Sequence, residues 1–174
     1  QDDKVMAFIC TQDLKDEEYI NSHFVIMATK KGQVKKTSLE QYSRPRSNGT
    51  NAITIKDGDV LLEAKLTTGQ SQVVLAVKSG KAIRFEENKT RPMGRNASGV
   101  RGIRLANDAD EVIGMVSVND MDSDILVVSE NGYGKRSKLE DYRMTNRGGK
   151  GVKTISITDK TGSLVSIKNV SDSD

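Results

Sequence analysis

Four residues after each of three glycines, Gly32, Gly80 and Gly132, stands a cation: Lys36, Arg84 and Arg136. Lys35 and Lys135 add a second cation in two of the three places. Each cluster leads into a loop rich in Arg, Gly, Asn and Pro, spanning Arg44 to Gly49, Arg91 to Gly99 and Arg143 to Gly151. In and just after these loops lie Arg44, Arg46, Arg91, Arg95, Arg101, Arg104, Arg143, Arg147, Lys150 and Lys153. Glycine has no side chain to hold a partner away, so backbone N–H groups and guanidinium forks can approach phosphate oxygens. The chemistry expected is contact with a phosphate backbone rather than base reading. A solvated strand face studded with Lys and Arg is the ordinary alternative, and it accounts poorly for recurrence at equivalent points.

Other chemistry lacks its parts. Cys10 is the only cysteine and His23 the only histidine, so an intramolecular disulfide, a Cys/His zinc site and a Ser-His-Asp triad are not expected. The run Gly94 to Gly99 lacks the Gly-Lys-Ser/Thr ending of a phosphate loop, and no strong helix signal follows it. His23 reads as a residue leading into a strand, Cys10 as a small buried group, and Tyr42, Tyr133 and Tyr142 as loop-packing residues. The longest apolar runs, such as Val73 to Val77, fall far short of the roughly 20 residues of a membrane helix. No basic-then-apolar leader opens the chain, which reads as an intracellular fragment beginning in mid-repeat.

The elements that must position the cations repeat about every fifty residues. Apolar runs Phe24 to Ala28, Val73 to Val77 and Ile125 to Val128 each lead to one of the three glycines, which are 48 and 52 positions apart. After the loops come alternating segments, Ile53-Thr54-Ile55, Ile103-Arg104-Leu105 and Ile155-Ser156-Ile157, read as strands with one wet face. Acidic turns at Asp57 to Asp59, Asp108 to Asp110 and Asp159 to Gly162 precede closing strands at Leu61-Leu62, Val112-Ile113 and Leu164-Val165. Val5 to Ile9 matches a closing strand with no unit before it. Glu17 to Tyr19 is allowed one helical turn, as are Thr37 to Glu40 and Ser137 to Glu140. With 174 residues, 35% of them apolar and no Trp, the expectation is an all-β, propeller-like array of about three four-stranded blades on a thin core. Its expected divisions are 1–22 for an end strand and connector, then blades at 23–70, 71–121 and 122–174. The net charge of +3 leaves the placement of charge, not its sum, to decide the partner.

Three runs carry a family resemblance: KKGQVKKTSLEQYSRPRSNG (30–49), RPMGRNASGVRGIRL (91–105) and SENGYGKR (129–136). They resemble the C-terminal DNA-wrapping domain of DNA gyrase A. That resemblance implies a β-pinwheel with double-stranded DNA bent around its basic outer edge. The family's box, Gln-Arg-Arg-Gly-Gly-Lys-Gly, is matched at five of seven positions by Thr145-Asn146-Arg147-Gly148-Gly149-Lys150-Gly151, a degenerate copy in the last blade. Lys35, Lys36, Arg84, Lys135 and Arg136 join the loop cations as the expected DNA contacts.

The resemblance further implies a non-catalytic, bacterial cytoplasmic module. Its implied partners are the rest of gyrase A, together with gyrase B, in an A2B2 holoenzyme, with no membrane. No cofactor is implied for this segment, because ATP and Mg belong elsewhere in the holoenzyme, as does the cleaving tyrosine. The C-terminal domain of the corresponding topoisomerase IV polypeptide is the nearest alternative. A propeller-type protein-interaction module would instead require an exposed apolar patch, and an enzyme in the ring centre would require converging carboxylates or metal ligands.

Overall fold

The computed structural model describes residues 15–44, 47–50, 52–119 and 122–171. Arg46, Cys10 and the Val5 to Ile9 segment lie outside them. Among these described residues, eleven strands form three antiparallel sheets. The first contains β1 (Phe24–Thr29), β2 (Gln33–Ser38) and β3 (Leu61–Thr67), and takes a fourth strand, β6 (Val100–Arg101), from the next unit, in the order β3-β1-β2-β6. The second contains β4 (Gln72–Val77), β5 (Lys81–Glu86) and β7 (Val112–Val118), and takes β10 (Val152–Lys153), in the order β10-β5-β4-β7. The third, of β8 (Asp124–Ser129), β9 (Gly134–Lys138) and β11 (Leu164–Val170), has three strands in the order β11-β8-β9.

The apolar runs become the second strand of each sheet because both of their faces are covered, the setting in which a strand reads as continuously hydrophobic rather than alternating. On β4, Val73, Leu75 and Val77 enter the core shared with the first blade, whereas Val74 and Ala76 enter the core shared with the third. The closing strands line the inner side of the array, β7 packing against β3 and against β11. At the opposite, outer side lie β6 and β10. Among the described residues, helix is confined to α1 (Glu17–Ser22), whose N-cap Asp16 accepts from Glu18 and Tyr19, and to single 3-10 turns at Leu39–Tyr42, Glu87–Lys89 and Leu139–Asp141. Among the described residues, no helix is long and apolar enough to cross a membrane.

The alternating segments are not strands, contrary to expectation. The fourth strand of each completed sheet lies just upstream, at β6 and β10, and it belongs to the preceding blade. Ile103 is buried and Arg104 exposed, which produces the alternation. The Ile103 N–H, however, goes to the Gly32 carbonyl at 3.4 Å, together with that of Gly102 at 2.7 Å. Thr154 and Ile155 repeat this at Gly80, at 2.8 and 3.3 Å. The chain crosses the previous hairpin turn at a point rather than running along it. That crossing explains the turn glycines. Gly32 and Gly80 adopt φ of +92° and +91°, and a Cβ on them would stand 2.8 Å from the Ile103 oxygen and 2.5 Å from that of Ile155.

Candidate nucleic-acid interface

The threefold cation repeat splits into two environments. Lys35, Lys36 and Arg84 are buried, at 0%, 4% and 7% exposure. Period-2 geometry puts Lys35 and Lys36 on opposite faces of β2, but both faces are covered, so neither reaches solvent. Lys36 forms an ion pair with Glu87 at 3.3 Å and lies over the Phe24 ring at 4.5 Å. Glu87 also accepts from Thr67 Oγ1 at 2.7 Å and from the Ser71 N–H at 3.2 Å. Arg84 reaches the same place in the next unit, where its Nη1 donates to the Leu139 and Tyr142 carbonyls at 3.2 and 2.9 Å and its Nε to Gln72 at 2.8 Å. Burial lowers the Arg84 pKa, opposed by the Glu140 charge. Lys35 donates to the carbonyls of Ala52 and Arg95, and burial, aided by the Arg95 charge, lowers its pKa to about 8. The outward stripe expected at these three positions is therefore corrected: they fasten one unit to the next. Only in the third unit do Lys135 and Arg136 face solvent, Arg136 pairing with Asp124 at 2.7 Å.

The loop cations behave differently. Arg44, Arg91 and Arg143 begin the three loops and are all exposed, as are Arg101 on β6, Lys153 on β10, Arg104 and Lys150. Arg95 and Arg147, which precede Gly99 and Gly151 by four residues, are half-buried. Arg147 donates to the Lys89 and Arg101 carbonyls at 3.1 and 3.2 Å and so supports its loop from below. Exposed cations thus recur in the loops and on β6 and β10, the strands at one edge of their sheets.

The glycines of the box-like segment approach protein backbone. Gly148 donates to Gly102 at 2.7 Å and Gly149 accepts from Arg104 at 2.8 Å. Gly151, at φ +80°, would place a Cβ 2.5 Å from the Ala82 oxygen, as Gly99 would 2.3 Å from that of Val34. Their smallness serves the joint between blades.

The acidic turns are pins as well. The Asp59 carboxylate accepts from Lys31 and Val60 N–H groups, and Asp110 from the N–H groups of Ser79, Glu111 and Ala106 and from the Ser79 hydroxyl. In the third unit Gly162 occupies that point, and Glu130 reaches across instead to accept from the Ser163 N–H at 3.1 Å. Tyr42 and Tyr142 bond to Ala52 and Thr154 and pack their loops, while Tyr133 is exposed under Lys160. Burial raises the Tyr42 pKa. His23 stacks on Tyr19 at 4.1 Å and caps α1 ahead of β1.

Comparison with known proteins matches residues 23–68, 72–119 and 123–171 to the family described as "DNA gyrase C-terminal domain, beta-propeller". The chain is 42% identical to the DNA gyrase A polypeptide of Staphylococcus aureus (strain NCTC 8325 / PS 47) over 171 residues, 97% of its own length and 19% of that protein. It is also 42% identical to the gyrase A polypeptide of Staphylococcus epidermidis over 170 residues, covering 97% and 18% respectively. The chain thus spans about a fifth of the curated relatives it matches. Among solved structures, a DNA gyrase A C-terminal domain matches with a TM-score of 0.83 at 25% identity, covering 97% of this chain and 54% of the other. The C-terminal domain of a DNA topoisomerase IV matches at 0.81 and 25%, covering 87% and 47%.

Proposed function

This chain belongs to the DNA gyrase C-terminal domain family, and from that premise we propose that it binds and bends double-stranded DNA along its outer rim without reading sequence. Its setting in this reading is a bacterial, cytoplasmic gyrase, joined to the rest of gyrase A and to gyrase B. The module contributes DNA geometry to ATP-dependent supercoiling, while ATP, Mg and strand cleavage are handled elsewhere in the holoenzyme. The observation that carries this is the recurrence of exposed cations on the rim: Arg44, Arg91 and Arg143 at the loop starts, Arg101 and Lys153 on the outermost strands. Duplex DNA has a persistence length of about 150 bp, so bending a few tens of base pairs costs several kcal/mol. Phosphate contacts spread along a curved edge offset that cost, whereas one clustered contact cannot.

Titration of the chain with a duplex of about 40 bp at several salt concentrations tests it, since log K falls with a slope near −0.9 for each phosphate neutralised. A slope implying roughly six or more phosphates is expected; a flat slope overturns the reading. The near-equal likeness to the topoisomerase IV domain supports a second reading, as part of that enzyme. Supercoiling of relaxed plasmid by the holoenzyme separates the two.

A further inference from the structure

The two blade joints share a backbone plan, and the second carries cations at three positions where the first has neutral residues. A notch of about 460 Å3 opens at the second joint, lined by Lys81, Arg104 and Lys150 with Val77, Leu105 and Asp110. Lys81 begins β5, Arg104 follows the crossing at Ile103, and Lys150 sits in the box-like loop, so three separate segments converge.

The first joint supplies an internal control. Lys81 pairs with Lys153 across β5 and β10 as Gln33 pairs with Arg101 across β2 and β6. The Arg104 N–H donates to Gly149 as that of Thr54 donates to Ala97. Lys150 precedes Gly151 as Ser98 precedes Gly99, each glycine pressed on the neighbouring strand. The positions of the three cations are thus held in the first joint by Gln33, Thr54 and Ser98, and that joint closes through the corresponding backbone hydrogen bonds, with the buried Lys35 bridging the Ala52 and Arg95 carbonyls in addition. Closure there requires no charge at these three positions.

The charges are also poorly neutralised. Lys81 stands opposite another lysine, an arrangement that disfavours a β-pair. Asp110, the acid that lines the notch, is buried and already accepts four donors. We propose that the notch at the second joint is a phosphate-binding site formed by Lys81, Arg104 and Lys150. This rests on the DNA reading for its source, making the notch the point where a backbone phosphate of the bent duplex is held fastest. Inorganic polyphosphate offers the same chemistry.

Two substitution sets test it on the 174-residue chain. Lys81→Gln, Arg104→Thr and Lys150→Ser together give the second joint the first joint's residues; Gln33→Lys, Thr54→Arg and Ser98→Lys do the reverse. The probes are inorganic tripolyphosphate, followed by amide NMR shifts, and the duplex used above. The parent chain is expected to show saturable tripolyphosphate shifts around residues 81, 104 and 150. The first set abolishes them and makes the duplex salt slope shallower by roughly one to three, and the reverse set creates shifts at the first joint. Absence of notch shifts in the parent, together with an unchanged duplex slope in the first set, overturns the site while leaving rim binding intact. Saturable notch shifts in a chain that binds no duplex keep the site, assign it to a free polyphosphate, and overturn the DNA reading instead. If the first set unfolds, the reverse set decides.

Discussion

The second and third blades begin from the same pattern, an apolar strand, a turn glycine and a cation four residues on, and end in opposite states. On β5, Arg84 is buried beneath the next unit and Gly80 is pressed against Ile155. On β9, Arg136 is exposed, and a Cβ on Gly132 would meet nothing within 4 Å. The difference is the fourth strand, present as β10 on one blade, whereas among the described residues the sheet of the other has three. The repeated motif therefore encodes a joint. Whether its cation is a fastener or a surface charge depends on the neighbour.

The largest effect expected along that contrast comes from the ion pairs. Glu87→Ala leaves Lys36 charged and buried, and should lower stability by about 3–5 kcal/mol. Asp124→Ala, at the partly exposed counterpart pair, should cost at most about 1 kcal/mol. Urea denaturation compares the two, and equal losses would break the contrast.

The glycines come next. Gly80→Ala adds a Cβ in a left-handed conformation against backbone and should cost about 3 kcal/mol, whereas Gly132→Ala should cost only the roughly 1–2 kcal/mol of conformational strain. Thermal unfolding of both reads the difference.

A smaller effect concerns pH. Lys35 is held near a pKa of 8, below its ordinary 10.5, so the unfolded chain binds more protons between those values and stability from this group rises with pH across that window. Urea midpoints measured near the two ends of that window should show the rise, and Lys35→Met should flatten it. A falling midpoint attributable to Lys35 would contradict its burial.

Smallest in stability, though not in binding, is the rim. Arg91→Glu, Arg101→Glu and Arg143→Glu together should leave the unfolding midpoint within about 1 kcal/mol and weaken duplex binding at least roughly ten-fold. Unchanged affinity would remove these residues from the interface.

The hairpins were legible because doubly covered strands read as apolar runs and their turns demand glycine. The joints were not. Ile103 and Ile155 alternate with polar neighbours because they plug the preceding core, and side-chain alternation does not reveal whether a backbone ladder lies beneath. The burial of Lys36 depends on Glu87, 51 positions away, a partner that no local pattern points to. Arg44, Arg91 and Arg143 could be placed outside from sequence because they begin turn-rich loops.

The borrowed fourth strand also sets an order of events during synthesis. Gln33 on β2 pairs with Arg101, 68 residues later, and Lys81 on β5 with Lys153, 72 later. At translation speeds of about 5–20 residues per second, each hairpin waits roughly 3–15 s with its edge open before the strand that seals it has been made. Ribosome-arrested chains ending near residue 95 should leave the β2 amides that face β6, not those bonded to β1, open to hydrogen exchange, and chains extended well past residue 105 should protect them. Protection in the shorter chains would mean that another segment holds the edge first. Nascent copies on neighbouring ribosomes expose both the edge and, moments later, the strand that fits it. Crowded synthesis thus becomes an opportunity for exchange of strands between chains.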